Sequence, residues 1–234
     1  MHDPYMETIM IRIQRLREEI AGACMKSGRN PNDIKLIAVS KTMGIDKIQE
    51  AIDAGLDTFG ENYVQEATDK MAALPPSLHW HFIGNIQKNK VKYLVKSFEL
   101  IHSVGSRDVA AEIDKRAAQK GYVQPVLFEI NSGDEASKSG FYSGQFLDAV
   151  QFLKTLKHIR PSGLMTMPPP VANEMQLSKY FAGLREMRDK ILKQGMFGQS
   201  FKELSMGISS DYKIAIKEGA TMIRIGTALF GTRG

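Results

Sequence analysis

The sequence predicts an α/β protein built as a single (β/α)8 barrel, a TIM barrel, with an extra N-terminal helix. Short continuous apolar runs alternate with segments of helical periodicity along the whole chain. The alternation repeats eight times at roughly 25-residue spacing, as such a barrel requires. No Pro/Gly/Ser-rich linker divides the 234 residues, 43% of them apolar, so 1–234 reads as one domain.

Thr8 to Lys26 carries Ile9, Ile13, Leu16, Ile20 and Cys24 at helical spacing, and residues 1–30 precede the first repeat. Leu36 to Val39 is an apolar run of the kind a parallel strand needs when both faces are covered. Ile45 to Ala54 reads as the first repeat's helix, stopped by Gly55. Thr58 to Gly60 is a second strand, with a helix reaching about Ala73; Leu78 to Ile83 is a third, with its helix over Gln87 to Lys96. Leu100 to Val104 and Arg107 to Lys120 form the fourth unit, and Pro125 to Ile130 and Gly144 to Leu156 the fifth. The sixth strand spans Ser162 to Thr166 and its long helix Glu174 to Gln194. Glu203 to Met206, Asp211 to Glu218 and Met222 to Gly226 complete the pattern. Only Thr227 to Gly234 follow, so the last helix is expected to be short and the N-terminal helix to cover the wall it leaves bare. An open doubly wound sheet is the alternative fold.

Composition narrows the function classes. No apolar run reaches the roughly 18 residues of a membrane span, and Met1 to Glu7 lacks a secretory pattern. The single cysteine, Cys24, permits no intrachain disulfide and suits a cytoplasmic location. The net charge of +5 is spread along the chain without a nucleic-acid recognition motif, and the lysines at 88, 90, 92 and 96 read as a solvated helix face.

In a barrel the loops after the strands build one face and the site. Lys41 directly follows the first strand, where partial desolvation makes an amine nucleophilic; the plain alternative is a lysine that begins a surface loop. Glu61 and Asn62 follow strand two; His81, Gly84 and Asn85 lie in or after strand three; Asn131 ends strand five and Met165-Thr-Met167 strand six. Ser205-Met-Gly-Ile-Ser-Ser210 and Gly226-Thr227 follow strands seven and eight. Each resembles an ordinary helix cap alone, but Met206 to Ser210 and Gly226-Thr227 together look like the two halves of an anion cradle, where barrels commonly bind phosphate. Arg224 sits inside strand eight, where a permanent cation needs either a carboxylate partner or a ligand atom. A reactive lysine, a phosphate cradle and a central cation together suggest pyridoxal phosphate.

Several motifs carry a family resemblance: Ile37-Ala-Val-Ser-Lys-Thr42, Phe59-Gly-Glu-Asn62, His81-Phe-Ile-Gly84, Gln87-Lys-Asn-Lys90 and Ser137-Lys-Ser-Gly140. Gly163-Leu-Met-Thr-Met167, Leu204-Ser-Met-Gly207 and Ile223-Arg-Ile-Gly-Thr-Ala-Leu-Phe-Gly231 complete the set. In order and spacing these resemble the pyridoxal phosphate homeostasis protein family over nearly the whole chain. The resemblance implies the barrel of the alanine racemase N-terminal domain type, pyridoxal phosphate fold type III. It further implies pyridoxal 5'-phosphate on Lys41 as an internal aldimine, phosphate held by Ser209, Gly226 and Thr227, Arg224 at the pyridine nitrogen, and Asn62 and His81 around the ring. Lys138 would be a second amine or simply a solvated loop residue. Two positions depart from the family pattern, Gly105 where relatives tend to be acidic and Asn85 before Ile86.

The racemases of this fold type add a second domain that supplies a catalytic residue, and none follows Gly234 here. The expectation is therefore a monomeric cytoplasmic protein that buffers vitamin B6 as pyridoxal phosphate or delivers it to apo-enzymes, without strong turnover. The alternatives are a weak amino-acid racemase using Tyr63 or His81 as proton carrier, and a Schiff-base aldolase working directly through Lys41. Neither nucleic acid nor membrane is expected as a partner.

Overall fold

The computed structural model describes residues 7–133, 139–169 and 173–231. The described residues form eight parallel strands that pair in sequence order and close into a barrel. They are β1 Lys35–Val39, β2 Thr58–Glu61, β3 His79–Phe82, β4 Leu100–Val104, β5 Gln124–Ile130, β6 Ile159–Thr166, β7 Glu203–Ser205 and β8 Met222–Ile225. Closure is through β1 and β8, with Ile37 opposite Arg224 and Ala38 opposite Ile225. Around them run α1 Ile9–Lys26, α2 Ile45–Asp53, α3 Val64–Ala73, α4 Val91–Leu94, α5 Arg107–Gln119, α6 Ser143–Thr155, α7 Glu174–Lys193, α8 Tyr212–Lys217 and α9 Thr227–Phe230.

Alternation along the strands divides the core in two. Ile37, Leu100, Leu127, Met165 and Met222 pack together as one apolar cluster, while Ala38, Phe59, Phe82, Phe128 and Ile223 join the helix faces in a second. Each large side chain fully buried in this way contributes about 1.5–3 kcal/mol, which is why β1 and β5 carry apolar residues on both faces.

The N-terminal helix does what its position in the sequence suggests. Thr8 caps it by accepting from the Ile11 amide, and Ile9, Ile13, Leu16, Ile20 and Cys24 form its buried stripe. It packs against α2, α8 and the single-turn α9, and Glu19 binds both the Tyr212 hydroxyl and, at 2.7 Å, Lys213. The outer wall beside the short α9 is thereby covered.

Two elements differ from expectation. The helix expected over Gln87 to Lys96 is a 3-10 turn at Lys88–Lys90 followed by one α turn, Val91–Leu94. Only Val91 and Leu94 of that turn are buried, and the backbone becomes extended at Val95 (ψ 126°), which ends it before the left-handed Lys96 (φ 72°). Strand β6 begins at Ile159 rather than Ser162. Pro161 is tolerated because β6 pairs only with β5 there; its pairing to β7 starts at Gly163, so the proline stands on a locally open edge.

Candidate functional site

At the carboxyl ends of the strands lies a cavity of about 750 Å³, and its lining includes Lys41, Asn62, Ser209, Arg224, Gly226 and Thr227. Six of the seven site residues expected from the sequence therefore meet, brought there by β1, β2, β7 and β8 and the loops that follow them. Lys41 stands one residue beyond Ser40, whose amide donates to Gly60 O at 3.1 Å and so anchors the end of β1 on β2. The loops after β7 and β8 are joined directly: the Ala228 amide donates to Ser209 Oγ at 3.2 Å. Asp211 shapes the first of them by accepting from the Ile208 amide at 2.6 Å.

Asn62 is held from below. Gly84 comes so close to it that a Cβ at position 84 would lie 2.3 Å from Asn62 O, so glycine is required there. The Ser103 hydroxyl donates to Gly84 O and fixes the approach. Asn62 Oδ1 is itself buried and, among the described residues, has no hydrogen-bond partner.

Arg224 is buried, and among the described residues no carboxylate lies within salt-bridge distance of it. Its guanidinium donates to Ser205 Oγ, and at 2.9 Å to both Thr166 O and Met167 Sδ. Burial pushes its pKa down to about 10, against the weaker pull of Asp211 and Glu129, so it remains a cation at neutral pH. A cation balanced by neutral acceptors and facing a cavity is set up for an electron-rich ligand atom rather than for a structural ion pair.

His81 does not line the cavity. It is buried one pleat below Ile83, which does, and the rise of about 7 Å over two strand residues accounts for the difference. Its Nδ1 is 2.9 Å from His102 Nε2, and His102 Nδ1 is 2.8 Å from Ser205 Oγ. Because Arg224 already donates to Ser205, the assignment that leaves fewest buried groups unsatisfied has Ser205 donating to His102 and His102 donating to His81. Burial lowers the pKa of both imidazoles, that of His81 to about 4, so both are neutral. His81 thus reaches the site through His102, Ser205 and Arg224, not by contact with the cavity.

Tyr63 also stands apart: it is 59% exposed and lines a neighbouring hollow with Asn85, Lys90 and Tyr93. Lys138 lies outside the described residues. At Gly105 a Cβ would meet Gly140 N at 2.8 Å, so a side chain has no room beside this loop.

Residues 11–234 match the family model described as "Alanine racemase, N-terminal domain". A protein of Aquifex aeolicus named "Pyridoxal phosphate homeostasis protein" is 43% identical over 95% of this chain and 97% of its own length. The chain belongs to the pyridoxal phosphate homeostasis protein family. PipY of Synechococcus elongatus, solved with PLP bound, superimposes on the chain with a TM-score of 0.83 at 34% identity, covering 96% of this chain and all of its own. Alanine racemase of Clostridium difficile shares the fold, with a TM-score of 0.71 at 19% identity, the match covering 94% of this chain and 56% of the racemase. The closed eight-stranded barrel of this family member is thus of the alanine racemase N-terminal type, and the likeness accounts for about half of the larger protein.

Sequence reasoning missed three contributors. Ser205 and His102 were visible as residue types, but their bond to one another spans 103 positions of chain. Lys70 stands four residues after Glu66 on α3, the spacing of an ordinary surface pair, yet it is 4% exposed and bonded to Ser40 O beneath Lys41. Among the described residues no cluster of metal-ligating side chains occurs, and no helix is long and apolar enough to cross a membrane.

Proposed function

We propose that the chain holds pyridoxal 5'-phosphate in the 750 Å³ cavity, as a reservoir that hands the cofactor on and not as an efficient catalyst. The observation that carries this reading is the convergence of Lys41, Arg224 and the two joined loops around Ser209 and Gly226 on one cavity. When bound, the cofactor supplies an aldehyde that condenses reversibly with a primary amine and releases water.

The residues present fit that group. Lys41 would offer the amine, Ser209, Gly226 and Thr227 would hold the phosphate, and Arg224 would face the ring nitrogen. Gly226 supports this role for a steric reason: a Cβ added there would meet Val39 at an ordinary 3.5 Å, so nothing in the protein demands glycine at this position. A ligand resting on the backbone does. Asn62 Oδ1, buried and without a protein partner, provides a polar contact beside the ring.

Arg224 also favours holding over turnover. A guanidinium does not give up its proton, so the ring nitrogen beside it stays unprotonated and the ring withdraws electrons weakly. Among the described lining residues, Lys41 and Arg224 are the titratable ones, and neither Tyr63 nor His81 is there to serve as the second proton carrier a racemase requires. The recipients on this reading are apo-forms of enzymes that use the cofactor, and the carrier is a monomer of the cytoplasm; light scattering of the purified protein tests the oligomeric state.

The decisive measurement is the visible spectrum of the purified protein beside that of Lys41→Ala. The parent should be yellow, the variant should not, and borohydride should fix the cofactor on Lys41 in the parent's peptide map. A colourless parent that takes up no added pyridoxal phosphate overturns the reading. Chiral chromatography of amino acids incubated with the protein addresses turnover, and racemisation at ordinary enzyme rates would favour the racemase instead.

A further inference from the structure

Beneath Lys41 lies a buried ionic cluster that the cavity itself does not include. Lys70, on α3, donates to Ser40 O at 2.6 Å, Glu61 Oε1 at 2.7 Å and Glu66 Oε1 at 2.6 Å. Glu61 Oε1 also accepts from the Ser40 hydroxyl at 2.6 Å, and Glu66 Oε1 from the Thr42 amide at 2.5 Å. Ser40 and Thr42 are the two neighbours of Lys41. The peptide unit before Lys41 is therefore gripped at its carbonyl, and the one after it at its N–H, by a single cluster.

The backbone gives a reason for such a grip. Thr42 has φ 63°, a left-handed conformation that a β-branched residue adopts only under constraint. Glu66, accepting from the Thr42 amide, supplies that constraint. The cluster is a poor device for stability alone, because desolvating an ammonium and carboxylates offsets most of their mutual attraction. What it does, together with the Met43 amide that donates to Ser40 O at 3.0 Å, is set the direction in which the chain leaves β1.

We infer that Lys70, Glu61 and Glu66 are positioning residues for Lys41, clamping the peptide units on both sides of it so that its amine is presented to the cavity. This rests on the reading that Lys41 carries the cofactor. The clamp acts on the amine and not on the phosphate loops or on Arg224, so it should matter for a ligand that bonds covalently to Lys41 and not for one that cannot.

Two ligands make the test: pyridoxal 5'-phosphate, which has the aldehyde, and pyridoxine 5'-phosphate, which has an alcohol in its place. Glu66→Ala is the first variant, since it removes the Thr42 acceptor while leaving Lys70 paired with Glu61. It should bind pyridoxal phosphate about tenfold or more weakly, with pyridoxine phosphate affinity unchanged. Hydrogen exchange at the Thr42 amide should accelerate in the ligand-free variant. Glu66→Gln, whose amide oxygen can still accept from Thr42, should restore most of the loss. Lys70→Met, checked for its thermal transition, should resemble Glu66→Ala. Equal affinity for pyridoxal phosphate in Glu66→Ala and parent, or equal loss of both ligands, overturns the inference. A parent that binds neither ligand overturns the proposed function instead.

Discussion

The barrel has a hollow at each end, and they are of similar size, about 750 Å³ at the carboxyl ends of the strands and about 650 Å³ at the amino ends. The lower one is lined by Asp33, Lys35, Asp57, His79 and Glu203 among others, a mixture of signs close to solvent. His79 pairs there with Glu99, both side chains nearly half exposed. The upper one has a buried arginine without a carboxylate partner among the described residues, a half-buried lysine and glycine- and serine-bearing loops. Volume does not distinguish the two. The difference is that the cations lining the top are of one sign and at least partly withdrawn from solvent, whereas the bottom mixes both signs close to solvent, with His79 paired to Glu99.

The His81–His102–Ser205–Arg224 chain runs between these ends, and it yields the largest effect that would test the contrast. A His81 pKa of about 4 in the folded protein, against 6.5 in the unfolded chain, means that the unfolded state binds more protons between those values. Stability should thus be fully present above pH 6.5 and fall as the pH drops towards about 4, by about 3 kcal/mol from His81 alone. Glu61, Glu129 and Asp211 work against this, since burial raises their carboxyl pKa values and acid relieves the penalty of burying them charged. His81→Asn retains a partner for His102 but does not titrate, so its melting temperature should vary less than the parent's across this window. Coincident profiles would mean that the buried imidazoles are not held neutral, and the upper end would lose its claim to be the desolvated one.

Gly226→Ala is expected to act next most strongly and on the ligand alone. The methyl group fits the protein, at 3.5 Å from Val39, but would stand in the space proposed for the phosphate, so pyridoxal phosphate should bind about ten- to a hundredfold more weakly. The thermal transition should hardly move. A large drop in melting temperature with affinity retained would show this glycine to be structural, and with it the cradle would lose its best steric support.

These cases also show what the sequence could reveal. The first strand was legible because a barrel strand is covered on both faces, and so Leu36 to Val39 reads as an unbroken apolar run. Lys41, Arg224 and Gly226 were legible because a charge or a glycine at the end of such a run is out of keeping with its neighbours. The single turn of α4 was not, since two apolar positions are too few to fix a helix's length. Nor was the depth of His81, because alternation assigns a side chain to the barrel interior without saying how far it lies from the mouth. Lys70 was hidden for a third reason: Glu66 and Lys70 look like a solvated pair on one helix, and only the folding of α3 over β1 and β2 makes them an internal clamp.

The smallest expected effect belongs to the lower end. His79→Ala removes one member of an exposed pair, for which about 1 kcal/mol is the upper range, and salt at about 1 M should erase most of the difference in melting temperature. His79 also opposes protonation of His81 from below, so its loss should raise the His81 pKa slightly and leave the imidazole neutral at pH 7. Titration followed by calorimetric ligand binding would therefore show pyridoxal phosphate affinity unchanged at neutral pH. An affinity loss in His79→Ala comparable to that of Gly226→Ala would mean that the two hollows are coupled through the buried imidazoles, the chain of described side-chain hydrogen bonds that leads from His81 to Arg224.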